Sequence, residues 1–173
     1  MIDLNPNPVK LICAVTFSPK APLDDIVENL EYTFGLIDRR SDTIAFTHTD
    51  YYKAEMGSDL KKLLVSFEKP FHPEDLWLAK RSTIDIESIY SEQGKRKINL
   101  DPGYVEPSKL ILASTKNFSH RIYLQQGIYA EVTMTYSNGQ FNRLPWTYPD
   151  YLEKAFLKFL EIVREDARHL TDH

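Results

Sequence analysis

Arg121 and Glu131 stand on two successive strand-like segments, Arg121–Leu124 and Ile128–Tyr136, joined by Gln125-Gln126-Gly127. A three-residue connection ending in glycine suits a hairpin whose last loop residue is left-handed. That register sets Arg121 opposite Glu131, Ile122 opposite Ala130, Tyr123 opposite Tyr129 and Leu124 opposite Ile128. One face then carries Ile122, Leu124, Ile128, Ala130, Val132 and Met134, and is expected to be buried. The other carries Arg121, Tyr123, Tyr129, Glu131, Thr133 and Thr135. A two-residue loop would mix the two sets, and a buried face specifies register strongly. Two chemistries are open on the polar face. As a solvated cross-strand ion pair, Arg121 and Glu131 contribute on the order of 0.5 kcal/mol. As a ligand surface, Arg121 binds a carboxylate or phosphate, Tyr123 and Tyr129 flank it, and Glu131 serves as base or metal ligand.

Other polar positions divide in the same way between local and chemical duties. Asp101 precedes Pro102-Gly103, so it starts a turn or acts in catalysis. Lys116 and His120 bracket the loop that feeds the hairpin, and that places both near Arg121 whether or not they are merely solvated. Asp50 and Glu55 flank Tyr51-Tyr52; helix capping accounts for Asp50, while Glu55 has no evident local duty. Asp150, with Glu153 three residues on, reads as a helix cap with its capping-box partner. The run Gly94-Lys95-Arg96-Lys97 reads as a solvated loop. No phosphate-loop glycines, dinucleotide fingerprint, Gly-x-Ser-x-Gly elbow or His-Glu-x-x-His helix is present.

Taken together, these residues outline a site for a small anionic ligand, a phosphate ester or nucleotide. Arg121, Lys116 and His120 would hold the anion. Glu131, Asp101 and His120 form the catalytic set, and Arg121, Lys116, Tyr123, Tyr129, Glu55 and Asp50 the binding set. Carboxylates without thiols favour Mg²⁺ or Mn²⁺ over zinc, should a metal take part. The alternative is a non-catalytic interaction module, in which the Tyr-rich face or the last helix docks a partner or a second copy. Between enzyme and binding protein the residues do not choose.

The elements that must position these groups follow from periodicity. Lys10–Ser18 reads as a central strand, and Leu23 to Phe34 as a helix opened by Pro22 and stopped by Gly35. Thr43–Thr49, Leu63–Phe67 and Thr83–Tyr90 read as strands, with a second helix from Pro73 to Lys80. The first half is thus β-α-β-β-α-β, the order of a ferredoxin-like split unit. Lys97–Leu100 and Lys109–Thr115 read as strands separated by the Asp101-Pro102-Gly103 turn. The hairpin strands follow, then Asn138-Gly139 as a further turn, and a last helix from Tyr151 to about His169. The fold class is α+β, a mostly antiparallel sheet extended by a β-meander and a C-terminal helix.

The totals set outer bounds. A chain of 173 residues fits one domain, 1–173, able to bury a core without disulfide or metal. A net charge of −4 and a pI near 5.7 argue against duplex nucleic acid as a partner, which calls for a basic face. Cys13, the one cysteine, sits in an apolar run and can form neither an internal disulfide nor a thiolate zinc site. Met1–Pro8 lacks the layout of a signal peptide, and no apolar stretch reaches the roughly 18 residues of a membrane span, so the expected location is cytoplasmic.

Several stretches resemble one family along nearly the whole chain. They are Thr49-Asp50-Tyr51-Tyr52 with Glu55-Met56-Gly57, Asn99-Leu100-Asp101-Pro102-Gly103-Tyr104, and His120-Arg121-Ile122-Tyr123. Gly127-Ile128-Tyr129-Ala130-Glu131-Val132 and Trp146-Thr147-Tyr148-Pro149-Asp150-Tyr151 complete them. The chain resembles uncharacterised bacterial proteins grouped as domain-of-unknown-function family 4416. The resemblance implies that Asp50, Glu55, Asp101, His120, Arg121 and Glu131 mark the family's characteristic site. It brings no activity, cofactor or catalytic residue with it.

Overall fold

The computed structural model describes residues 2–170; Met1 and residues 171–173, the ends of the expected 1–173 domain, lie outside the described residues. The fold is α+β. In chain order the elements are β1 Lys10–Phe17, α1 Leu23–Phe34, β2 Ile37–Arg40, β3 Ile44–Ala45, α2 Lys53–Met56 and β4 Lys61–Phe67. A 3-10 turn, Pro73–Asp75, leads into α3 Leu76–Ile89. Then come β5 Ile98–Glu106, β6 Lys109–Ser114, β7 Arg121–Gln125, β8 Ile128–Ser137 and β9 Gln140–Arg143. A second 3-10 turn, Pro149–Leu152, precedes α4 Lys154–His169. No described helix is long and apolar enough to cross a membrane.

The strands form one antiparallel sheet in the order β2-β4-β1-β5-β6-β8-β7, with β3 also on β4 and β9 also on β8. β1 is buried along its whole length because both faces of the sheet are covered. Leu11, Cys13 and Val15 pack against Ile26 and Leu30 of α1 and Ala79 and Ile86 of α3. Ile12 and Ala14 face the stripe Phe156, Phe159, Leu160 and Val163 of α4. Gly35 ends α1 with φ 94°, a conformation open to glycine at little cost.

The βαββαβ order holds with a different fourth strand. Thr83–Tyr90, expected as a strand, is the second half of α3. Alternation of Ile84 and Ile86 with acids suggested period two, but Leu76, Ala79, Lys80, Thr83, Ile86 and Glu87 form one buried stripe at helical spacing. β5 takes the fourth place, giving β2-β4-β1-β5. The expected strand Thr43–Thr49 shrinks to Ile44–Ala45, and the edge beside β4 is mainly β2, whose polar Asp38-Arg39-Arg40 concealed it.

Asp101-Pro102-Gly103 is not a turn but the middle of β5; the chain reverses between Glu106 and Lys109. Pro102 is tolerated because β6 begins to pair only at Gly103. Gly103 is there for contact: a Cβ on it would come within 2.3 Å of the Ile111 carbonyl oxygen. β5 and β6 therefore touch at Gly103, while residues 98–102 of β5 pair on the β1 side only.

The β7–β8 hairpin keeps Arg121 opposite Glu131, Ile122 opposite Ala130 and Tyr123 opposite Tyr129, but reaches that register another way. Gln126 (φ 54°) and Gly127 (φ 77°) are both left-handed, as in a two-residue type I′ turn. Gln125, not Leu124, opposes Ile128, and the irregularity between Tyr123 and Gln125 absorbs the extra residue as a bulge. The expected burial holds at Ile128 and Met134, which lie in the core, and fails at Ile122 and Glu131. Ile122 is 71% exposed, whereas Glu131 is 2% exposed. β7 is the sheet edge, so its apolar side lacks a covering layer, while the Leu144–Pro149 loop closes over the other. In that loop Trp146 donates to the Val132 carbonyl (2.7 Å) and Thr147 to the Thr133 carbonyl (2.5 Å), just where β7 has ended and β9 has not begun.

Candidate functional site

Above Gly103 the sheet parts, and the opening is a cleft of about 770 Å³. Residues of β1, β4 and β5 line its floor: Thr16, Lys62, Asn99 and Asp101. β6 and the hairpin give one wall, with Ser114, Arg121 and Glu131; the Tyr51-Tyr52 segment and Tyr148 to Tyr151 give the other. Tyr51, Phe118 and Tyr148 are exposed aromatics at the mouth.

The charges in the cleft are organised in pairs. Lys62 of β4 is bonded to Asp150, both almost wholly buried, and its ammonium lies 5.0 Å from the ring centres of Phe46 and Tyr151. Lys80 reaches from α3 to the Leu100 carbonyl and to Asp101 Oδ1, 3.0 Å each, filling the gap that β6 leaves; Asn99 donates to Asp101 Oδ2 at 2.7 Å. Arg96 grips Glu55 with two nitrogens (2.8 and 3.0 Å) and also reaches Glu87 (3.3 Å) and Asn99 (2.9 Å). Arg121 donates from Nε to Glu131 Oε2 (2.8 Å), from Nη1 to Ser114 (3.0 Å) and the Lys116 carbonyl (2.9 Å), and from Nη2 to Tyr148 (3.1 Å).

These environments tune the titrating groups. Burial raises the pKa of Asp101, but the charges of Lys80 and Lys62 and the bonds from Lys80 and Asn99 outweigh it and hold the carboxyl below its ordinary range. Burial wins at Glu87, which is pushed up against the pull of Lys80, the Leu100 N–H and Arg96. Lys80 is the mirror case: burial lowers it, yet Asp101 and Glu87 bring it above the ordinary lysine value. At the mouth, the bond from Lys116 lowers the Tyr51 phenol.

Of the residues singled out in the sequence, Asp101, Arg121, Glu131 and Lys116 line this cleft together. His120 stands behind Glu131, with Nε2 3.2 Å from Oε2 and its ring stacked on Trp146 at 4.7 Å. Glu55 stands behind Arg96. Tyr123 and Tyr129 pack edge to face at 5.3 Å, away from the lining. Asp50 lies on the surface with its side chain 92% exposed, 3.9 Å from Lys53. It makes no side-chain cap to α2.

Several lining groups were not visible as such in the sequence. Lys62 and Lys80 sit in apolar stretches, and a lysine at a buried position of a strand or helix was the available signal. Arg96, expected in a solvated loop, is instead the most heavily bonded cation of one wall. Asp150 is no helix cap: α4 has no side-chain cap, Asp150 holds Lys62, and Glu153 meets His48 at 2.9 Å.

The arrangement decides what the carboxylates can do. Glu131 Oε2 receives Arg121 and His120, and Oε1 receives Thr133 (3.1 Å). Each lining carboxylate, Glu87, Asp101, Glu131 and Asp150, has a lysine or arginine partner. No group of three or more His, Cys, Asp or Glu suited to hold a metal ion occurs among the described residues. Lys116 differs. Of the five lysines and arginines lining the cleft, it is the one without a carboxylate partner among the described residues; its ammonium bonds only the Tyr51 hydroxyl, at 2.8 Å.

A family model described as Domain of unknown function (DUF4416) matches residues 7–166. No curated protein and no solved structure matches the chain.

Proposed function

Because the chain belongs to the Domain of unknown function (DUF4416) family, whose description carries no reaction, we propose from the cleft alone that the protein binds a small anionic molecule, phosphate-bearing or nucleotide-like. The observation that carries this reading is the unmatched charge of Lys116 at an aromatic mouth. An ammonium with only a phenol for partner is free to meet an incoming anion, and Tyr51, Phe118 and Tyr148 offer rings on which a planar or sugar moiety packs. The paired charges deeper in the cleft hold these groups in place without reorganisation on binding. Catalysis by Glu131, Asp101 or His120, with or without Mg²⁺ or Mn²⁺, remains a separate proposal that the bonded state of these groups does not favour.

The test is calorimetric titration with ribose 5-phosphate, nucleoside 5′-monophosphates and inorganic phosphate. Binding that weakens about tenfold in Lys116→Ala, and in wild type as salt is raised, supports the reading. Absence of binding by every phosphate compound sinks it.

One observation favours a second reading, an interaction module. β7 is an edge strand carrying Ile122 at 71% and Tyr123 at 57% exposure, and such an edge can accept another strand. Light scattering decides it: a dimer that Ile122→Lys dissolves is the expected result, and a monomer at all concentrations removes the idea.

A further inference from the structure

The Tyr151 hydroxyl is buried and meets no hydrogen-bond partner, the one buried side-chain nitrogen or oxygen in that state among the described residues. The large majority of buried polar side-chain atoms in folded proteins are paired, so an orphan on a residue that lines a cleft points to a place where another group completes the bond. Tyr151 is 1% exposed, packs beside Phe156 and is also part of the cleft lining. It lies on the wall nearest the Lys62–Asp150 pair.

The surroundings specify the missing group. Lys62 is neutralised by Asp150, and Lys80 by Asp101. Asp101 takes one donor on each oxygen, Lys80 on Oδ1 and Asn99 on Oδ2, and a carboxylate oxygen can accept two. The floor and the wall beside it therefore present a phenol that donates and carboxylate oxygens that still accept, with no excess positive charge. Burial and the nearby charges of Asp150 and Asp101 keep the phenol protonated. A phosphate dianion has no proton to give and would confront both carboxylates. A neutral hydroxyl does both tasks, accepting from Tyr151 and donating to Asp101 or Asp150.

We propose that the floor of the cleft is a subsite for a sugar-like, hydroxyl-bearing group, whose oxygen accepts the Tyr151 hydroxyl while the anionic end of the same ligand lies at Lys116. This assignment rests on the reading of the cleft as an anion-binding site and gives the ligand a direction within it, polyol inward and phosphate outward.

Calorimetry on wild type and Tyr151→Phe with ribose 5-phosphate, free ribose and inorganic phosphate tests it. Loss of one buried hydrogen bond predicts about tenfold weaker binding of ribose 5-phosphate to Tyr151→Phe, with inorganic phosphate unchanged. The ligand-free variant should melt no lower than wild type, since nothing in the folded chain uses the hydroxyl; a lower melting temperature means the hydroxyl is already paired and overturns the proposal. Equal binding of ribose 5-phosphate to both proteins also overturns it, while leaving the anion reading intact. Binding of ribose that depends on Tyr151, without binding of either phosphate compound, keeps the floor subsite and removes the anion reading. If none of the three binds wild type, both fall.

Discussion

Arg121 and Glu131 form a buried ion pair across the β7–β8 hairpin, with Nε 2.8 Å from Oε2 and side-chain exposures of 4% and 3%. On a solvated sheet face the same pair would contribute a few tenths of a kcal/mol. Here both ions have left water, and the geometry holds because Ser114, the Lys116 carbonyl, Tyr148, His120 and Thr133 complete their bonds. The pair fixes the wall of the cleft and the loop that carries Lys116.

Removing one partner should therefore cost more than removing both. Arg121→Met leaves the Glu131 carboxylate buried with His120 and Thr133 only, and the expected loss is about 3–5 kcal/mol in urea denaturation. Arg121→Met with Glu131→Gln should recover a substantial part of that loss. A single variant within about 0.5 kcal/mol of wild type would show that the pair behaves as a surface bridge.

Gly103 permits the close approach of β5 to β6 from which the cleft opens. Alanine there drives a Cβ against the Ile111 carbonyl oxygen at 2.3 Å and Leu112 Cδ2 at 2.6 Å. Since the first obstacle is backbone, the strands must separate, and Gly103→Ala should lose about 3 kcal/mol by chemical denaturation. Ala113→Gly, one strand over and not at the crossing, should lose less. Equal losses would mean that the approach at Gly103 carries no special constraint.

What could be read from the sequence was whatever depends on one segment at a time. The α1 boundaries follow from Pro22, the apolar stripe and Gly35; Arg121 also pairs with Glu131 as the sequence suggests, although a two-residue turn and a bulge, not a three-residue loop, produce that register. What could not be read depends on which layer covers a segment. Glu131 became a buried residue because Trp146 and Thr147, fifteen or so positions away, close over it, and no local pattern announces that. Asp101-Pro102-Gly103 has every mark of a turn, yet the partner strand β1 extends it into β5. The cleft cations were hidden for a related reason. Lys62 and Lys80 have their partners 88 and 21 residues away, so nothing near either in sequence marks it as part of a site.

Stability should fall in acid, and Glu55 supplies part of the fall. Its hydrogen bonds from Arg96 lower its pKa below the ordinary glutamate value despite some burial. A carboxylate with a lowered folded pKa contributes stability above the unfolded value, near 4.5, and loses it as pH drops through the folded value. Asp101 acts in the same direction, while Glu87, raised by burial, acts in the opposite one. Melting temperatures of wild type should thus decline below about pH 4.5, and Glu55→Gln should show a shallower decline from a lower plateau at neutral pH. Parallel curves for the two proteins would separate Glu55 from the acid response.

Lys62 and Asp150 are bonded on the lining of the cleft, with side-chain exposures of 6% and 4%, but the two partners are not equivalent. If Asp150 is changed to Asn, the ammonium of Lys62 keeps the faces of Phe46 and Tyr151, each 5.0 Å away, and a ring face attracts a desolvated cation. If Lys62 is changed to Met, the Asp150 carboxylate has no comparable second partner and stays buried. Lys62→Met should therefore destabilise by about 3–5 kcal/mol and Asp150→Asn by roughly 1–2 kcal/mol less, measured by urea denaturation at neutral pH. The reverse order would mean that the rings contribute nothing to holding Lys62, and that Asp150 alone positions it.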